Sequence, residues 1–310
     1  MSSDFLLYVA AFGGGFLGAT FGALFAFAFT GIVLLAGIVA VIATGNAAFV
    51  TDVAFGPFFG PHISFAGGVG ASAFAGSRGW LQNGRDIATP LVSLAKPIVL
   101  VVGGLFGVAG LVISQLVTLI PWLGANTDLP GITVVISGVA ARLIFGKSGI
   151  IGKHSEGLTG VARFRPTQEH NWVRYQESWP NAAVLGVGCS AISAWAAIAL
   201  SAAYPDAAST VVLLGFAVSA TSLAFLTLGA AIPVTHHITL IAAIAAFHFQ
   251  AVTGNDVAAV LIGIGFGTLS ALVGEAFSRL WLIRGDTHID PPASAIWPMT
   301  TLVLGVAALF

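Results

Sequence analysis

The chain has 310 residues, of which 57% are apolar and 7% charged, and its net charge is −1. A soluble domain carries about 25% charged residues, so 11 basic and 12 acidic side chains cannot keep the surface of so apolar a chain wet. Soluble globular and disordered classes are excluded, and the near-zero net charge offers no basic field for a nucleic acid.

Long unbroken runs rich in Ala, Leu, Val, Phe and Gly exclude a spanning barrel, whose strands would alternate in polarity over about ten residues. The expected fold is an all-α polytopic membrane protein of about 10 transmembrane helices, at roughly 20 residues per crossing. The spans read in chain order are 5–23, 25–43, 62–76, 91–120, 131–145, 182–203, 210–232, 236–252, 257–279 and 293–310. An acid, Asp4, stands where a cleavable signal peptide needs positive charge, so the first run is expected to stay as a helix. Glycines at four-residue spacing, Gly14, Gly18 and Gly22 in the first helix, Gly103 and Gly107 in the fourth, and Gly263 and Gly267 in the ninth, let neighbouring backbones approach. The same rows permit a homo-oligomer without setting its number.

Between the second and third spans, the segment 47–61 holds Phe55-Gly56-Pro57 and Phe59-Gly60-Pro61. It is apolar yet too broken to be a spanning helix. It therefore reads as a re-entrant segment that dips into the outer half of the bundle, with Pro57 and Pro61 as its turns and His62 and Ser64 opening the next helix near the seam. The fourth span, 91–120, contains Pro97 and is expected to break or tilt there. Nine of the eleven basic residues fall in the connections after spans 3, 5 and 9, Arg142 lies near the same end of helix 5 and Lys96 two turns into helix 4, whereas the opposite connections carry Asp52, Asp128, Asp206 and Asp256. The positive-inside rule then puts the long loop 146–181 in the cytoplasm of a cell-membrane protein, with both termini outside.

The chain also matches itself. Ala75-Gly-Ser77-Arg78-Gly-Trp80-Leu81 lies over Ala276-Phe-Ser278-Arg279-Leu-Trp281-Leu282, and Thr44-Gly45-Asn46 over Thr253-Gly254-Asn255. This pairs helices 1–4 with helices 7–10 as two parallel-oriented repeats. The expected organisation is repeat 1 at 1–120, a connector at 121–209 and repeat 2 at 210–310. Asn46 and Asn255 are expected to cap the segments that follow them.

Few polar groups remain inside the spans. Lys96 lies about seven residues into the fourth helix, and Glu275 lies one turn before Arg279. Charges in such places face pathways or pair locally. The eighth helix carries Thr235-His236-His237, then His248 and Gln250; His237 and His248 share a face but lie about 16 Å apart along the axis, too far to bind one metal. The 146–181 loop holds His154, Glu156, Glu169 and His170 without ligand spacing, and Phe145-Gly-Lys-Ser148 lacks the first glycine of a phosphate loop. No metal, cofactor or catalytic motif is found, and an enzyme is not expected. The residues point to a transporter or permease-like protein in the lipid bilayer, moving a small solute or ion through the seam between two repeats. His62, Ser64, Lys96, His237, His248, Gln250 and Glu275 are its path candidates. A channel, or a structural subunit of a membrane complex, is the alternative.

Overall fold

A computed structural model describes residues 3–153 and 158–310; His154 and Glu156 lie outside the described residues. The described chain is all-helical. In order, the α-helices are α1 (Ser3–Phe21), α2 (Ala23–Thr44), α3 (Ser64–Ser77), α4 (Pro97–Thr118), α5 (Leu129–Phe145), α6 (Trp179–Ala203), α7 (Ala208–Val211), α8 (Leu214–Thr227), α9 (His236–Thr253), α10 (Asp256–Phe277) and α11 (Pro291–Ala307). Six helical segments are long and apolar enough to cross a membrane: Ala23–Thr44, Pro97–Thr118, Trp179–Ala203, Pro205–Thr227, His236–Thr253 and Asp256–Leu282. Phe5–Phe21 and Leu129–Phe145 are shorter apolar helices. The chain is thus a helical protein of membrane-protein character.

Local chemistry explains where the helices start. Asp128, Ser178, Asn255 and Asp290 each accept a hydrogen bond from the backbone N–H three residues on. Such a cap stabilises a helix by about 1 kcal/mol. Asn46 accepts from the Ala48 N–H at 2.8 Å and orders the turn after α2. Gly45 and Gly254, both left-handed, end α2 and α9.

Two sequence expectations need correction, the place of Lys96 inside a helix and the re-entrant dip of 47–61. The fourth span breaks at Pro97 as expected: a 3-10 turn at Leu91–Leu94 is followed by Ala95 at φ 51°, and α4 begins with Pro97 in its first turn. Proline lacks the N–H that a helix interior requires but suits a first turn. Lys96 therefore stands ahead of the helix, exposed, with its ammonium 5.6 Å from the centre of the Trp80 ring. The segment 47–61 does not dip and return. A π-helical turn at Phe49–Ala54 leads through buried turns directly into α3, antiparallel to α2 throughout. Val50 lies against Gly37, the Phe59 carbonyl accepts from Thr30 at 2.7 Å, and Gly68 meets Ala23. Segment and helix together run antiparallel along α2, because the Gly-Pro turns let backbone carbonyls press onto neighbouring glycines where a straight helix could not.

Those close approaches set the packing. A Cβ on Gly14 would strike the Pro57 carbonyl, one on Gly18 the Ser64 carbonyl, and one on Gly110 the His62 carbonyl. The helices α1, α3 and α4 are thereby locked into one bundle, and α6, α9 and α10 form a second. These neighbours do not follow the pairing of helices 1–4 with 7–10 expected from the self-match. Under that pairing α1, which packs on α4, would correspond to α8, yet α8 has no comparable contact with α11. Instead α1, α2, α3, α4 and α5 have the same mutual contacts as α6, α8, α9, α10 and α11, in that order. The halves meet where α2 crosses α8 and where α5 runs alongside α11.

Gly110→Leu is expected to abolish recovery of monodisperse protein in detergent, because overpacking by even a methylene or two costs about 1–3 kcal/mol and here the obstacle is backbone. Gly265→Ala, on α10 of the second bundle and facing open space, is expected to leave the melting temperature unchanged or raise it slightly, as alanine is the better helix former.

Candidate functional site

The seam between the halves encloses a cavity of about 520 Å³. Its wall is drawn from both halves at corresponding positions. Leu24 and Phe27 of α2 stand opposite Leu213 and Phe216, the latter on α8; Phe65 of α3 matches Leu240 of α9; Asp128, Pro130 and Val134 match Asp290, Pro292 and Ile296. Phe27 and Phe216 meet across the seam edge to face, with ring centres 5.9 Å apart.

The polar part of the wall is set by two helix starts. Asp128 caps α5 through Gly131 N–H at 2.6 Å, and Asp290 caps α11 through Ala293 N–H at 2.7 Å. The two helices are antiparallel. Thr127 donates to the Trp297 carbonyl and accepts from the Thr301 hydroxyl at 2.9 Å, so α5 begins beside the second and third turns of α11. Gly131 lies against Ala293 and Ile296, and Gly138 against His288 and Ile289. Asp290 also pairs with His288 Nε2 at 3.1 Å. His236, 5% exposed, packs its ring on Phe27 at 4.8 Å and Phe216 at 6.0 Å, and its Nδ1 has no hydrogen-bond partner.

The cavity reaches one face of the bundle, where Asn83, Arg85, Asp86, Asn171 and Arg174 line it. The connections after α3, α5 and α10 are tied together there. Arg85 donates to the Leu282 and Ile283 carbonyls, and Gly84 and Thr287 form a single β-bridge. Arg142, 1% exposed near the end of α5, reaches the Thr287 hydroxyl at 2.9 Å, the Ile150 carbonyl at 2.8 Å, and the carbonyls of Trp281 and Thr287. Asp286 accepts from the Ser148 hydroxyl at 2.6 Å and from the Lys147 backbone N–H. Burial pushes the Asp286 carboxyl up, but these donors and the Arg142 guanidinium outweigh it and hold the group below the usual carboxylate range. On the opposite side the segment 55–63 lies over the cavity, with Phe59 stacked on Phe29 at 5.4 Å.

Most of the path residues expected from the sequence lie elsewhere. Glu275, 2% exposed, is held by Arg279 at 2.6 Å, and Arg279 also donates to the Glu177 carbonyl and stacks over Trp179. Glu275 thus pairs locally, one turn away. His237 is fully buried against Gly274 with both ring nitrogens unpartnered, His248 is partly buried beside Phe247, and Gln250 reaches Asp256 at 3.4 Å. His62 and Ser64 are buried where the chain enters α3, their carbonyls on Gly110 and Gly18. Pro61 alone of the named turn residues lines the cavity, while Pro57 packs its carbonyl on Gly14. Sequence reading missed Asp128, Asp290, His288 and His236 as a group. The available signal was the recurrence of Asp-Leu-Pro-Gly at 128–131 as Asp-Pro-Pro-Ala at 290–293.

Among the described residues, an all-helical architecture with six segments long and apolar enough to cross a membrane gives the chain the character of a membrane protein. The chain belongs to a protein family of unknown function (DUF7973), whose family model matches residues 1–171 and 163–310. No curated protein and no solved structure matches it.

Asp286 yields a pH prediction. Its folded pKa lies below the unfolded value of about 4, so its contribution is fully present above that pH and is lost as the pH falls through the lower folded value. Asp286→Asn is expected to lower thermal stability at pH 7 by no more than about 1 kcal/mol, because the carboxylate is partly exposed to water. The difference between the variant's unfolding curves in detergent and those of the unmodified protein is expected to shrink progressively as the pH falls below about 4.

Proposed function

We propose that this protein is a membrane carrier of about ten crossings, built from two inverted repeats, 3–145 and 179–307, with a small solute bound in the cavity on their seam. What supports the reading is a set of close contacts repeated between the halves. Gly18 takes the Ser64 carbonyl, and Ser193 donates to the Thr239 carbonyl at 2.7 Å; both partners lie 175 residues on. Gly110 takes the His62 carbonyl, and Ser270 donates to the His237 carbonyl at 2.8 Å. Gly103 meets Ala19 and the Gly67 carbonyl, as Gly263 meets Ala194 and the Ala242 carbonyl. Gly103-x-x-Phe106-Gly107 recurs as Gly263-x-x-Phe266-Gly267 in the same places.

Five passes per repeat is an odd number, so the second repeat must enter the membrane from the opposite side to the first. Their pseudo-two-fold axis then lies in the membrane plane, and the Phe27–Phe216 pair sits close to it. In such an arrangement the two halves can exchange packing, and the exchange moves the opening of a central site from one side to the other. Here the cavity reaches the face bearing Arg85 and Arg174, the cytoplasmic face under the positive-inside rule. The described state is the inward-facing one, and Phe29, Phe59 and the 55–63 segment form the closed outer gate.

Val134, 4% exposed on the cavity wall, provides the test. In a Cys189→Ser background, Val134→Cys is expected to react with a membrane-impermeant thiol reagent in inside-out vesicles and, more slowly, in right-side-out vesicles. Labelling from one side alone would contradict a carrier and favour a structural subunit, and steady single-channel currents in planar bilayers would replace the carrier by a channel.

A further inference from the structure

The cavity wall has a definite chemical character. Asp128 is capped only through Gly131 N–H, and among the described residues no cation lies within ion-pair distance of it. The two cations of the lining, Arg85 and Arg174, stand at its mouth, where Arg85 donates to the Leu282 and Ile283 carbonyls, and Asp290 already has His288. The start of α5 offsets part of the Asp128 charge, but a helix terminus carries only about half an elementary charge, so a net negative site is left. His236, nineteen-twentieths buried, lines the cavity with its ring, and among the described residues no group hydrogen-bonds its Nε2, which can accept one there. Around these two groups stand the rings of Phe27, Phe65 and Phe216.

A carboxylate, a neutral acceptor and aromatic faces in one apolar chamber favour a cation with N–H donors. An ammonium would pair with the carboxylate in a charge-assisted bond and lie against ring faces. A carboxylate-bearing ligand would meet Asp128 as a like charge, and a neutral one would leave that charge unpaired. The volume of about 520 Å³ falls within the range of pockets that take organic molecules of drug-like size. Building on the reading of this cavity as the solute site, we propose that its ligand is a protonated amine carrying an apolar body about the size of an aromatic ring, held by Asp128 and His236.

The experiment compares three probes of nearly equal shape, phenethylamine, 2-phenylethanol and 3-phenylpropanoate, by thermal shift on the full-length protein in detergent at pH 7. Phenethylamine is expected to raise the melting temperature saturably, and the other two are not. Asp128→Asn keeps the helix cap, since asparagine caps as well as aspartate, and is expected to weaken amine binding by about ten-fold or more. His236→Gln, if Asp128→Asn fails to fold, is expected to weaken it several-fold. Equal stabilisation by the alcohol or the propanoate, no stabilisation by the amine, or unchanged amine affinity in a folded Asp128→Asn protein would overturn the proposal. Amine binding without two-sided labelling of Val134→Cys would leave the ligand class standing and remove the carrier reading. Two-sided labelling without amine binding would do the reverse.

Discussion

The structure depends on helix backbones being brought into direct contact. In lipid the apolar effect does not press one helix onto another, so close packing and interhelical hydrogen bonds must do so. In the first half, glycines of α1 and α4 receive carbonyls of the chain entering α3; in the second, serines of α6 and α10 donate to the corresponding carbonyls of α9. The first arrangement gains close van der Waals contact at the expense of conformational freedom in the unfolded chain. The second gains hydrogen bonds across a slightly wider gap. One scaffold is reached by two chemistries.

Everything at the seam follows from those two three-helix bundles. Each holds one face against α5 or α11, whose starts lie alongside the body of the other helix instead of at an edge of the bundle. Their capping aspartates are thereby carried to the cavity wall, where an ordinary helix start would leave them in water. At the basic end, Arg142 donates to the Trp281 and Thr287 carbonyls before α11 and to the Ile150 carbonyl after α5, and a buried carbonyl left without a donor costs about 1–3 kcal/mol. The polar clamp thus fixes the position of α11 relative to α5, and with it the shape of the mouth.

Much of this was legible in the sequence. The apolar runs fall on helices, six of them, among the described residues, long and apolar enough to cross a membrane, and the glycine rows mark faces that pack. The equivalence of the halves was not legible, for a physical reason. Ser-Arg-x-Trp-Leu follows both α3 and α10, helices that end at the same basic face, and Thr-Gly-Asn ends both α2 and α9. Segments at one interface share a composition because they share a solvent boundary. Positions related by the packing lie at opposite ends of the bundle, where Arg142 at one end answers to Leu304 at the other, so their charges differ and only the buried Gly-x-x-Phe-Gly and His-Ile-Ser/Thr stretches keep the resemblance. Asp128 read as an interfacial acid because nothing local shows that its helix begins beside the middle of another. Lys96 and Glu275 drew attention as inserted charges, yet one stands ahead of its helix and the other is neutralised by Arg279.

The central claim is that the halves are inverted about one cavity. Ala48 in the connection after α2 and Ala230 in the connection after α8 are corresponding, exposed positions. Single cysteines there, in a Cys189→Ser background, are to be labelled with a membrane-impermeant maleimide in right-side-out and inside-out vesicles. The account predicts opposite sides, Ala48→Cys reacting from outside and Ala230→Cys from the cytoplasm. Labelling of both from the same side would contradict it.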